Sequence, residues 1–130
     1  MAFVLLDSTV LIDALRGRGA VDRIRDLRTG GDRAVVSPVN VEEIIRGLRG
    51  AGREPVLRFL RGLRVVTLDR AQAVQAGDWR REYAARGQTL AQADCLIAAA
   101  AVRVGGRLAT GNPRDFPMPE LSVEHWRVGE

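Results

Sequence analysis

Four acidic positions in this 130-residue chain have spacings that suggest a shared chemical task. Asp7 directly follows the apolar run Phe3–Leu6, and Asp115 lies just past Leu108 and Ala109, across the turn sequence Gly111-Asn112-Pro113. In open parallel sheets, ligands bind beyond the carboxyl ends of strands, where both acids would fall. Asp94 stands four residues after Leu90, three before Ile97 and seven before Ala101. These are same-face helical spacings, so its carboxylate is expected on an apolar stripe. An ionised carboxylate cannot stay there alone: it protonates, pairs with an arginine or shares a cation with other acids. Glu42 and Glu43 both offer a fourth acid, and periodicity does not choose between them, because both lie off the Val41–Leu48 stripe. Each acid taken singly has a plainer use, as a helix cap or a partner of the helix dipole. Taken together they suit Mg2+ or Mn2+, hard cations that prefer oxygen ligands. Such a centre lowers the pKa of a water and supports in-line attack on a phosphodiester.

The rest of the composition excludes alternatives. All 20 basic residues are arginine and none is lysine, against 16 acids, for a net charge of +4. A phosphate-loop, Schiff-base, kinase or receiver-domain lysine is therefore ruled out. His125 is the single histidine, so no mechanism can use a histidine pair, and Cys95 alone makes neither an internal disulfide nor a multi-cysteine zinc site. Its solitary cysteine fits a reducing cytoplasm. No membrane segment is expected: the opening FVLL meets Asp7 at once, and CLIAAAAV is far short of the roughly 20 apolar residues of a span. The length suits a single domain covering residues 1–130.

Positioning these acids requires a frame, and the apolar pattern predicts one. Strands are expected at Phe3–Leu6, Ala34–Val36, Val65–Leu68 and Leu108-Ala109, with an edge strand at Val123–Trp126. Helices are expected over Val10–Leu15, over Val21–Leu27 before the Gly30-Gly31 stop, and from Ser37-Pro38 to Leu48. Asn40 and Glu43 have capping-box spacing in the third of these. Gly50–Gly52 breaks the pattern, and Pro55 is expected as the first residue of a helix to about Leu63. Asp69 is expected to cap a helix to about Arg86, and Thr89 to start the last one, through Val104. Apolar strands separated by helices indicate a three-layer α/β/α sandwich around a mostly parallel sheet.

Four segments resemble a known family. FVLLDSTVLID (Phe3–Asp13), SPVNVEEIIRG (Ser37–Gly47), LAQADCLIAA (Leu90–Ala99) and LATGNPRDF (Leu108–Phe116) are similar, in order, to the motifs of PIN-domain ribonucleases, most closely the VapC-type toxins of VapBC toxin–antitoxin pairs. The family register of Ser, five residues, Glu, three residues, Gly selects Glu43, six after Ser37 and four before Gly47. Some members carry their fourth acid where this chain has Asn112, which leaves that role to Asp115. The resemblance implies a PIN-like fold and a Mg2+- or Mn2+-dependent endoribonuclease toxin. Asp7 and Asp94 would be the primary metal ligands, while Glu43 and Asp115 complete the pocket and orient water. Ser8, Thr9, Thr110 and Asn112 would hydrogen-bond the carboxylates. Homodimerisation is also implied, with a small VapB-like antitoxin that blocks the site.

Charge adds a separate signal. Between Arg46 and Arg64 there are six arginines and one acid, Glu54. Arg46, Arg49 and Arg53 follow three- and four-residue spacing, so they are expected to share a face that leads RNA phosphates toward the acids. The apolar residues between these arginines could equally receive an antitoxin segment. Trp79, Tyr83 and Trp126 are expected in the core, Cys95 as a small buried residue and His125 as a surface or structural residue. Two other classes compete with the ribonuclease: a non-catalytic PIN-like module that binds RNA or an antitoxin, and a phosphotransfer domain using Asp7. The second lacks the lysine a receiver needs, and Thr9 stands where a haloacid-dehalogenase-like enzyme has an aspartate.

Overall fold

The computed structural model describes residues 1–49 and 52–129. The chain runs β1 (Phe3–Leu6), α1 (Ser8–Leu15), α2 (Ala20–Thr29), β2 (Arg33–Val36), α3 (Pro38–Arg46), α4 (Arg53–Arg61), β3 (Arg64–Val65), α5 (Arg70–Ala85), α6 (Gln92–Arg103), β4 (Arg107–Thr110), a 3-10 turn (Pro113–Asp115) and β5 (Ser122–His125). The five strands form one sheet in the order β3-β2-β1-β4-β5, and every pairing is parallel. The chain builds outward from β1 through β2 to β3, then returns to place β4 on the other side of β1. Strand order therefore reverses between β1 and β4, and a crevice opens beyond their carboxyl ends.

Alternation along the strands sends side chains to two cores. Leu5, Val35 and Leu108 pack with Trp79, Tyr83, Ile97 and Ala98 of α5 and α6. On the other face Val4, Leu6, Ala34, Val36 and Ala109 pack with Val10, Leu11, Ile24, Ile44 and Leu60 from α1 to α4. Both faces being covered explains why the strands read as unbroken apolar runs. Trp79, Tyr83 and Trp126 are buried, Cys95 is inaccessible, and His125 is exposed on the edge strand.

Several local expectations are corrected. The capping box of α3 is made by Ser37 and Asn40, not Asn40 and Glu43. Ser37 holds the extended backbone of an N-cap, and Pro38 fills the first helical position, where no amide is needed. Pro55 is third in α4, behind Arg53 and Glu54, still within the turn whose amides lack intrahelical partners. Residues 50 and 51 of the Gly50–Gly52 break lie outside the described residues. The strand expected at Val65–Leu68 is only Arg64–Val65, though the Val66 amide still donates to the Val36 carbonyl at 2.7 Å. α6 begins at Gln92 rather than Thr89. Leu90 precedes it, so Asp94 belongs to the first helical turn and is half-buried instead of lying within the apolar stripe.

Candidate active site

Asp7 closes β1 and opens α1 with extended backbone, φ −69° and ψ 158°, and its side chain makes no capping bond to that helix. Two hydroxyls occupy its Oδ2 instead: Thr110 Oγ1 donates at 2.7 Å and Thr9 Oγ1 at 3.0 Å. Thr110 ends β4, the strand beside β1, so the two hydroxyls reach one oxygen from different elements and lie 3.5 Å apart. The Gly111 amide donates to Thr9 Oγ1 at 2.9 Å, and the Asn112 amide to Thr110 Oγ1 at 3.0 Å. Asp7 is only 6% exposed. Burial pushes its pKa above the usual carboxylate value, and the two threonine bonds pull partly against that shift.

Glu43 reaches the crevice from α3. Its Oε1 accepts the Ser8 hydroxyl at 2.7 Å. Ser8 in turn accepts a proton from Asn40 Nδ2 at 3.0 Å, and Asn40 Oδ1 accepts from the Ser37 amide at 2.9 Å and hydroxyl at 2.7 Å. Ser37 and Asn40 are completely buried, so the capping box of α3 also aims the hydroxyl that holds Glu43. Glu42 turns the other way and pairs with Arg46 at 2.8 Å on the surface. On the far side, Asp115 sits in the 3-10 turn, where Asn112 Nδ2 donates to its Oδ2 at 2.8 Å.

Asp94 reports how close the four acids come. Burial, followed by repulsion from Asp115, Asp7 and Glu43, raises its pKa from 3.8 to about 7. The structure thus brings Glu43 of α3, Asp7 at the end of β1 and Asp115 of the 3-10 turn around the single half-buried carboxylate of Asp94 on α6. Among the described residues, no three acidic, histidine or cysteine side chains are grouped to enclose an ion by themselves. The donor set nevertheless fits Mg2+, which typically takes one or two carboxylates and keeps its waters. The four acids also lack a positive partner, since no ion pair of the described residues involves Asp7, Glu43, Asp94 or Asp115.

The arginines are distributed differently from the sequence expectation. α3 ends at Arg46, Arg49 lies beyond it, and Arg53 opens α4, so the three do not share a helix face. Gly47 terminates α3, which interrupts the spacing on which that expectation rests. Arg49 instead lines a groove of about 370 Å³ together with Glu43, Arg16, Ile12, Leu15, Leu48 and Val56. Two residues inside the family segments take structural roles that the sequence reading did not assign. Asn40 falls outside the usual capping-box signature, which has Glu or Gln at that place. Asp13 is 3% exposed and accepts the Ala20 amide at 3.1 Å and the Gly129 amide at 2.9 Å. Its only sequence signal is a charge at an apolar place in VLIDAL.

The sequence and the fold are similar to those of known proteins. The PIN-domain sequence profile matches residues 4–118. The chain is 40% identical to ribonuclease VapC10 of Mycobacterium tuberculosis over 118 residues, 90% of this chain and 88% of that protein. The DNA-bound VapBC structure of Salmonella typhimurium aligns at a TM-score of 0.79 and 26% identity, covering 97% of this chain and 99% of that one. VapBC2 of Rickettsia felis, bound to a fragment of its promoter, reaches 0.82 at 21% identity over 95% and 98% of the two chains, a likeness of fold.

Proposed function

Since this chain belongs to the PIN-domain family, in its VapC branch, we propose that it is a Mg2+- or Mn2+-dependent endoribonuclease, the toxin of a type II toxin–antitoxin pair. The observation that carries the proposal is the meeting of Asp7, Glu43, Asp94 and Asp115 where strand order reverses. Asp7 and Asp94 are read as the primary ligands, with Glu43 and Asp115 completing the pocket. The cation, when bound, supplies counter-charge to phosphate oxygens and lowers the pKa of a water.

The chain's own residues prepare that chemistry. Thr9 and Thr110 hold Asp7 Oδ2 in one orientation, so the carboxylate needs no rearrangement to receive charge. Ser8 occupies Glu43 Oε1 and leaves Oε2 to orient the attacking water. Asn112 does the same service for Asp115. Asp94 is half protonated near neutral pH without a cation and ionised when one shares the pocket. Arg49 and Arg16, which line the groove together with Glu43, are placed for the flanking phosphates of RNA. The apolar lining of the same groove suits an amphipathic segment of a VapB-like antitoxin, which would cover Glu43. The reading also includes a second copy of the chain as partner.

The test is cleavage of total RNA by the purified chain with Mg2+, Mn2+ or EDTA. Cleavage should require the metal and vanish in Asp7→Asn and Asp94→Asn, both retaining the circular dichroism of the wild type. Undiminished cutting by both variants would overturn the assignment. Metal-independent RNA binding without turnover would instead identify a non-catalytic module.

A further inference from the structure

The segment after β5 does not end at the sheet edge. β5 pairs with β4 through Thr110 and His125, and the Trp126 amide donates to the Thr110 carbonyl at 2.9 Å. The chain then crosses the carboxyl end of β4 toward α1, where the Gly129 amide meets Asp13 Oδ1 at 2.9 Å. On the way, Val128 packs on Gly111. A Cβ at Gly111 would stand 2.9 Å from both Val128 methyl carbons and 3.3 Å from Thr9 Oγ1. That contact matters because the Gly111 amide donates to Thr9 Oγ1, and Thr9 Oγ1 donates to Asp7 Oδ2.

We propose that Asp13 is a positioning residue for the acidic centre: by anchoring Gly129 it holds Val128 against Gly111 and so fixes the Thr9 hydroxyl on Asp7. Asp13 sits six residues from Asp7 on the opposite end of α1, too far along the helix to act on it directly. The linkage runs instead through the segment after β5, Gly111 and Thr9. Asp13 is nearly inaccessible, and the Gly129 amide, followed by that of Ala20 and by the charges of Arg18 and Arg23, keeps its carboxyl below the usual range. It is therefore a permanent acceptor for both amides. Anchoring Ala20, where α2 begins, is a local duty; anchoring Gly129 reaches the site. A side chain at Gly111 would have to displace Val128.

This inference rests on the reading of Asp7 as a metal ligand, and its test separates the two. Mn2+ affinity is measured by electron paramagnetic resonance on the RNA-free protein, and Gly111 amide exchange by NMR on the metal-free protein. Val128→Ala keeps both Asp13 bonds and the fold but removes the pressure on Gly111. It is expected to weaken Mn2+ binding by about 3–10-fold, below the 10–100-fold usual for groups bonded directly to a ligand, and to speed Gly111 exchange by about tenfold. Asp13→Ala should do at least as much. Gly111→Ala should weaken Mn2+ binding as well, and combining it with Val128→Ala should restore part of the loss by giving the new methyl room. A lowered melting temperature in Asp13→Ala and Val128→Ala, with Mn2+ affinity and Gly111 exchange unchanged, would overturn the inference. If the wild type binds no Mn2+, the metal-ligand reading fails, and Gly111 exchange alone decides whether Asp13 positions Thr9.

Discussion

Replacing Asp94 with asparagine should stabilise the metal-free protein at pH 8 while removing its capacity for catalysis. In the folded chain the Asp94 carboxyl holds its proton up to about pH 7, against 3.8 for a free aspartate, because burial and three neighbouring acids disfavour the charge. The folded state therefore binds more protons than the unfolded state between these two values, and stability must fall as pH rises through that window. Asp7 contributes in the same direction, since burial raises it too. Asp13 and Asp32 contribute oppositely, being lowered by backbone amides, but they act below pH 4 and leave the window clear. A rise from 3.8 to about 7 sets a ceiling of about 4 kcal/mol. Asp94 is half-buried, so solvent screening reduces this to about 1–2 kcal/mol. The assay is urea unfolding in EDTA at pH 5 and pH 8. The wild type should be more stable at pH 5; Asp94→Asn should show a shallower dependence, the remainder belonging to Asp7, and be more stable than wild type at pH 8 by that amount. Excess Mn2+ at pH 8 should stabilise the wild type, by about 3 kcal/mol at 100 times its dissociation constant, and leave the variant unmoved. A wild type indifferent to pH between 5 and 8, or a variant no more stable at pH 8, would refute the electrostatic account of the crevice.

Other expectations concern the supports of the site. Asn40→Ala strips the Ser8 hydroxyl of a donor and the Ser37 amide and hydroxyl of an acceptor in a fully buried place, so it should cost about 1–3 kcal/mol in urea unfolding and lower cleavage through Glu43. Gly106→Ala places a side chain at φ +86°, with its Cβ 3.2 Å from the Glu120 carbonyl oxygen; a loss of about 1 kcal/mol or more is expected, with the cleavage rate retained once the protein is folded. Arg49→Ala should weaken RNA binding uniformly across sequences and reduce the dependence of log affinity on log salt by about one contact, read by titration at several salt concentrations.

Much of the frame is legible in the residues. Leu5 and Val35 alternate with Leu6 and Val36 between two cores, yet all are apolar, and that continuous run signals a parallel sheet covered on both sides. Asp69 carries its own cap signal and does open α5. The misses share a cause. Thr89 and Leu90 continue the apolar spacing of α6 without being helical, because Leu90 is buried by packing into the first core, which periodicity cannot distinguish from a helix stripe. Arg46, Arg49 and Arg53 keep helical spacing through a break, since spacing does not record that Gly47 ends the helix.

By itself, the sequence determined the chemical inventory: which acids exist, the absence of lysine, one histidine, and the order of motifs that places this chain in its family. Those follow from residue identity and short-range periodicity, which need no knowledge of neighbours in space. Periodicity left Glu42 and Glu43 equal and only the family register singled out Glu43; the tertiary structure supplies the physical reason, the hydroxyl of Ser8, 35 residues away in the chain, which holds Glu43. The tertiary structure alone raised Asp94, by burying it and gathering the other three acids around it, and it alone brought Gly129 to Asp13 across 116 residues. Burial and proximity are properties of the folded arrangement, and the proton affinities and orientations of the site derive from them.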